Sequence, residues 1–477
     1  MVRATCIEMK KTALRRFAGA GLLAFQLGVD LDGQGTVTPP AFKALRYDED
    51  YRYLRSANVV GDALDPIKFI ALPFDPEAFL SFGGEARQRY EFYRNAQWGQ
   101  GPQDGNGFFL QRYMLHVDAV LNLSFRVFAQ LKSGIETGRV GGPRPTDEDR
   151  LDLNQAFLDT KWSLGERSSF TLRVGRQELA FGSSRVISFR EGPNIQQAFD
   201  GARGTFQTSA WRFDLLAVEP VQTKVGTFDD GSDSNQKLWG VYAVTALPSL
   251  PGGHIDLYYL DLVRAVARFD QGSAREERRS LGARLWGSHS GWDYNFEFIY
   301  QDGTFGRGKI RAWTIASDTG YTFGRARGRP RVSLKADIAS GDRDPNRADL
   351  QTFNPLFPRG SYFNESSLIG PDNFIDLHPG IEVKVAKGVT VSADCDFFWR
   401  ESVRDGVYGP SVNLVRSGRL SSARYVGTQP AVSMQWRPDR HWSLALAYAH
   451  FHAGSFLRQT GPARDVDFGT TSVTYQF

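Results

Sequence analysis

From about residue 75 onward the chain alternates apolar and polar positions with a period of two. The stretch WDYNFEFIYQ sets Trp292, Tyr294, Phe296, Phe298 and Tyr300 against Asp293, Asn295, Glu297 and Gln301. VTVSADCDFFWR does the same with Val389, Val391, Ala393, Cys395, Phe397 and Trp399 against Ser392, Asp394, Asp396 and Arg400. Successive side chains of a strand point to opposite faces, so each such stretch predicts a strand with one apolar and one charged face. Eighteen stretches carry the pattern: 79–93, 108–121, 124–137, 152–163, 169–176, 201–208, 211–219, 236–247, 253–262, 278–288, 291–302, 309–323, 329–339, 373–385, 388–400, 423–436, 441–454 and 465–477.

The connections alternate between long and short. The long ones include 138–151, 177–200, 220–235, 263–277, 340–372 and 401–422, and the short ones are turns such as LNLS, TSA, HSG, AKG and RPDR. The connection at 303–308 is short on the long side. This parity predicts an all-β fold, an antiparallel transmembrane barrel with short periplasmic turns and long extracellular loops. Backbone groups inside a bilayer must all be paired, so such a sheet closes on itself. The chain ends TTSVTYQF, with Val473, Tyr475 and Phe477 on one face. Closure explains that ending: the last strand zips to the first and its aromatics meet lipid.

The N-terminus reads differently. MKKTALRR (Met9–Arg16) precedes FAGAGLLAFQLGV (Phe17–Val29), the basic and apolar regions of a secretory signal. The expected organisation is a signal peptide over 1–30, a periplasmic or plug-like segment over 31–78, and an outer-membrane barrel over 79–477. DEDYRYLR (48–55) is a charged stretch that either lines or plugs the periplasmic mouth or docks beneath the barrel. Net charge is only +4, from 57 basic and 53 acidic residues, which excludes a nucleic-acid footprint. Of the two cysteines, Cys6 falls in the presequence and Cys395 stands alone, so no structural disulfide is expected.

In a barrel of eighteen strands the inward face lines an aqueous lumen, and here that face is rich in arginine. Strand parity points Arg87, Arg89, Arg112, Lys132, Arg173, Arg176, Arg203, Arg284, Arg311, Lys335 and Arg400 inward, with Arg185 and Arg190 on the long 177–200 connection. Glu85, Asp118, Asp159, Asp337, Asp394 and Asp396 are the acidic partners on the same faces. Two readings follow. Most of these groups build a cross-strand ion-pair network that stiffens the wall. The remainder form a ladder of guanidinium groups that selects anions, as charged rings do in channels. Residues 175–203 either fold back to set the constriction or form an extracellular flap.

GRQELAFGSSR (175–185), AFDGARG (198–204), NPLFPRGSYFNESSLIGPDNFIDLHPGI (354–381) and LRYDEDYRYLR (45–55) resemble recurring segments of the alginate export family of outer-membrane proteins. The resemblance spans roughly 45–477. It implies an 18-stranded barrel whose electropositive pore passes a polyuronate outward, a long loop capping the pore, and a gated periplasmic end.

Other chemistries are thinly represented. His450 and His452 share a strand face but lack a third ligand of a metal site. FDDGSDSN (228–235) is acidic without EF-hand spacing. No nucleophile–base–acid constellation stands out, and no phosphate-cradling loop offers energy coupling. The expectation is a passive channel without cofactor, in the Gram-negative outer membrane. Its partners are an anionic polysaccharide or small anionic solute, outer-membrane lipid and lipopolysaccharide, and periplasmic biosynthesis or export proteins. The alternatives are a porin taking up small anions and a sealed surface barrel.

Overall fold

The computed structural model describes residues 39–55 and 61–477; the signal sequence expected over 1–30 lies outside them. Eighteen long antiparallel strands form one closed sheet: β1 Phe79–Arg94, β2 Phe108–Val120, β3 Phe125–Thr137, β4 Asp149–Gly165, β5 Ser168–Gln177, β6 Phe199–Gln207, β7 Trp211–Gln222, β8 Gln236–Leu247, β9 Gly253–Phe269, β10 Gly272–His289, β11 Trp292–Phe305, β12 Gly308–Thr322, β13 Arg331–Ala339, β14 Phe374–Ala386, β15 Val389–Trp399, β16 Tyr425–Trp436, β17 Trp442–Ala453 and β18 Val466–Gln476. Each strand pairs with its neighbours in sequence, and β18 returns to β1 from Glu85↔Gln476 to Arg94↔Asp467. The closure runs to the final residue: Gly84 N donates to the Phe477 carbonyl at 2.9 Å, and Phe477 N to Gly84 O at 3.0 Å. An open edge would leave a row of backbone groups unpaired in hydrocarbon, at several kcal/mol each.

The outward face is apolar and exposed, with Leu115, Val127, Leu158, Leu215, Leu281, Phe298 and Ile315 among its residues. Rings gather beside the short turns, where Trp162 stacks on Phe170, Trp211 on Phe213, and Trp442 meets Tyr475. Such aromatic girdles mark the membrane interface.

One expected loop is strand. The 263–277 stretch continues the β9–β10 ladder through a bulge between Arg264 and Ala267 to Phe269↔Gly272, leaving a two-residue turn. The apolar alternation stops earlier because the outward positions there are charged: Arg275 and Glu277 are exposed and paired at 2.8 Å. These strands run on beyond the lipid zone, where the outer face meets water. Arg311 departs from its expected orientation for the same reason. It sits on the exposed face of β12, while Ile310 and Ala312 are the buried neighbours.

The expected open lumen is largely filled. Two long connections, 178–198 and 340–373, fold into the barrel and pair with each other, Phe357 N donating to Val186 O at 2.9 Å and Arg359 N to Ser184 O at 3.1 Å. Their apolar residues, including Leu179, Val186, Ile187, Leu356 and Phe357, join inward residues of β6 to β12 in one buried cluster.

Candidate functional site

The lumen wall is built by parity. On β1 to β3, Arg87, Arg89, Arg112 and Lys132 alternate with exposed outward residues and are themselves buried. Their partners divide them into three kinds.

The first kind is locked to carboxylates, mostly across strands. Arg126 pairs with Asp118 at 2.7 Å, and Arg173 with Asp159 at 2.7 Å. Arg203 and Arg212 share Asp214 at 2.9 and 2.8 Å. Arg284 holds Asp256 at 2.9 Å, and Arg89 holds Glu91 at 2.6 Å and Glu365 at 3.1 Å. Near the extracellular end, Lys132 bridges Asp149 and Asp230, while Arg176 pairs with Asp200 at 2.8 Å.

The second kind clamps the inward loops. Arg112 pairs with Glu85 at 2.6 Å and also donates to the carbonyls of Glu191 and Pro193. Arg87 forms no ion pair among the described residues; it donates to the carbonyls of Glu191, Gly192 and Pro193 and to Asn194 Oδ1. Arg185 crosses from its loop to Asp337 at 2.7 Å and Glu297 at 3.3 Å. Arg400 lies outside the lumen path. It is fully buried at the base of the 400–424 connection, donating to the carbonyls of Val403, Asp405, Ser421 and Ala423.

The third kind has cations in excess. Where the two inward loops meet, the Arg190 guanidinium donates to Pro358 O and that of Arg359 to Tyr362 O, and among the described residues neither forms an ion pair. Burial, and after it the neighbouring Arg264, push the Arg190 guanidinium down to about 10, still protonated at neutral pH. Burial and then Arg185 act in the same direction on Arg359.

Asp394 and Asp396 serve a histidine and not an arginine: His378 Nε2 lies 3.1 Å from Asp394 and Nδ1 lies 2.6 Å from Asp396. Lys335 stands opposite His378 in the β13–β14 register. His378, Asp214, Arg359 and Asn194 were missed at the sequence level; Asp214 and His378 obey the same inward alternation and could have been found by it.

The periplasmic mouth is occupied from below. Tyr47 is 2% exposed, wedged edge-on against Phe157 and Phe128, with the Arg173 guanidinium 4.0 Å over its ring. Its hydroxyl donates to Glu178 O at 2.9 Å, at the root of the first inward loop. Arg46 ties the segment to the barrel seam through Phe477 O at 2.7 Å and Gly84 O at 3.1 Å.

A sequence-family model described as alginate export matches residues 78–469, nearly the whole barrel. The chain belongs to the alginate export family. It is an outer-membrane channel protein of the Gram-negative type. No curated protein matches it. Solved structures share the fold at low identity. OccK11 (OpdR) of Pseudomonas aeruginosa superposes with a TM-score of 0.56 at 13% identity, covering 86% of this chain and 99% of its own. A BenF-like porin from Pseudomonas fluorescens Pf-5 gives 0.58 at 11%, covering 83% and 98%. OccK2 (OpdF) of Pseudomonas aeruginosa in complex with glucuronate gives 0.54 at 10%, covering 83% and 98%.

Proposed function

We propose that this family member is a passive, anion-selective channel for a carboxylated saccharide, exporting an alginate-like polyuronate. The observation that carries the reading is the pair Arg190 and Arg359, guanidinium groups that form no ion pair among the described residues, at the junction of the two inward loops. A guanidinium bonded only to backbone carbonyls keeps its charge uncancelled, and its planar fork suits a passing carboxylate. The glucuronate in the OccK2 complex is a small uronate held by a barrel of the same fold. Residues 39–78 act as the periplasmic plug segment of the channel.

The test is single-channel recording on the refolded protein in a planar bilayer, with reversal potentials in a KCl gradient and added oligo- and polyuronates. Anion preference, block by polyuronate and a shift of the reversal potential toward zero in Arg190→Gln/Arg359→Gln are the expected results. Selectivity unchanged in that double variant removes the role of the pair. Block by short uronates but not by polymer turns the reading into a porin for small anionic solutes. A second reading, a sealed structural barrel, has its own support in the apolar cluster that fills the lumen, and complete absence of conductance decides for it.

A further inference from the structure

Strands β14 and β15 each turn two polar groups two residues apart toward the lumen: Asp376 and His378 on one, Asp394 and Asp396 on the other. Asp376, His378 and Asp396 are 3%, 4% and 0% exposed. One donor atom from each falls within 4.8 Å of the other two. Asp376 Oδ1 is buried and, among the described residues, has no hydrogen-bond partner, while His378 Nδ1 and Asp396 Oδ1 face each other at 2.6 Å. A buried carboxylate oxygen without a partner is costly, and its convergence with that histidine–carboxylate pair calls for a cation shared by all three.

The surroundings are arranged as a metal's outer shell. Asp394 stands 3.1 Å from Nε2, the nitrogen that faces away from the cluster. A carboxylate there favours the tautomer protonated at Nε2, so that Nδ1 turns its lone pair toward Asp396 and can ligate a cation held between them. Asn364 Nδ2 donates to Asp396 Oδ2 at 2.9 Å and so orients that carboxylate from the inward loop. The charges agree: on the neighbouring strand Asp337 is held by Arg185 at 2.7 Å and Lys335 stands opposite His378, so of Asp376, Asp394 and Asp396 two charges remain, which a divalent cation with a neutral imidazole cancels.

We infer that Asp376, His378 and Asp396 form a binding site for a divalent transition-metal cation on the lumen wall, with Asp394 and Asn364 as positioning residues. One imidazole nitrogen and two carboxylate oxygens are the donor set of zinc-type ions, and three protein ligands leave a coordination position free. Bound there, the ion joins β14 and β15 to the 340–373 connection through Asn364.

The experiment uses the full-length refolded barrel, stripped with EDTA and titrated with Zn²⁺ by calorimetry. Folding is checked by heat-modifiable migration on a gel. The comparison variant His450→Ala/His452→Ala removes the more exposed His450–His452–Asp465 cluster. One equivalent bound by wild type and by that variant is expected. In His378→Gln affinity falls at least about 100-fold, and in Asp394→Asn about 10- to 100-fold. No binding by wild type, or binding unaffected by His378→Gln, overturns the assignment. If His378→Gln does not refold, the Co²⁺ absorption spectrum decides. Ligand-field bands that change in Asp376→Asn support the site, and bands identical in the two proteins, or absent from wild type, refute it.

Discussion

A guanidinium in this lumen is defined by what it faces. Asp214 is 1% exposed and serves Arg203, Arg212 and Thr205 at once. Removing its charge takes from the buried Arg203 the carboxylate it holds at 2.9 Å, and breaking a buried pair in this way costs about 3–5 kcal/mol. Asp214→Asn is therefore expected to lower the stability of the refolded barrel by that order in urea titration. Asp302→Asn, at the exposed Arg279–Asp302 pair, is expected to change it by less than about 1 kcal/mol. Equal effects would mean that water reaches both pairs alike. Inward orientation was legible in the sequence for Arg87, Arg112, Arg173, Arg203 and Arg284 because a strand has only two faces. Their partners were not. Arg87 meets carbonyls of a loop more than a hundred residues away, and Asp396 meets a histidine, and no local pattern encodes either meeting.

The elements show where legibility ends. Strand existence followed from alternation, as in β8, read from the sequence over the same residues, 236–247. Strand ends failed where the outer face leaves lipid, as in β9 and β10, since charge then replaces the apolar half of the pattern. The N-terminal segment had no periodicity to read; its docking depends on single side chains. Lys68 is buried with its ammonium about the rings of Phe42, Tyr51 and Phe477. Burial, and after it Arg46 and Arg440, push its pKa down to about 7 against the pull of Glu49 and Asp62. The released segment, with an ordinary lysine near 10.5, binds the proton more tightly than the docked one. Docking therefore strengthens as pH rises from about 7 toward about 10.5, and it carries the full penalty below 7. Protease protection of the Arg46–Arg55 stretch is expected to rise over that window, and to become pH-independent and stronger at pH 7 in Lys68→Met. Protection that falls between pH 7 and 10 would place the docked ammonium in a stabilising site.

In the whole molecule three segments meet on the lumen axis, one from the periplasm and two from the extracellular side. Tyr47 touches the root of the first inward loop through Glu178 O, and Leu45 and Tyr47 share a buried cluster with Phe128, Phe157 and Phe189 of wall and loop. The lower end of any path thus closes on a ring wedged between a guanidinium and two phenylalanines, held by hydrogen bonds a few residues long. The upper end closes on paired loops whose apolar residues are continuous with the wall. The two closures differ in what opening them costs. Withdrawing the segment exposes Leu45, Tyr47 and Tyr51, on the order of 1.5–3 kcal/mol of burial each, together with the Arg46 and Tyr47 hydrogen bonds. Withdrawing the loops would expose many such side chains. The periplasmic segment is therefore expected to be the part that moves, with the inward loops staying in place. Deleting residues 39–55 is expected to raise open probability while leaving single-channel conductance and ion selectivity unchanged, because the loop junction at Arg190 and Arg359, proposed above to select anions, stays in place. A deletion that instead enlarges the unitary conductance would move the narrowest point of the path down to Tyr47, and one that leaves open probability untouched would assign the segment to anchoring the barrel seam through Phe477.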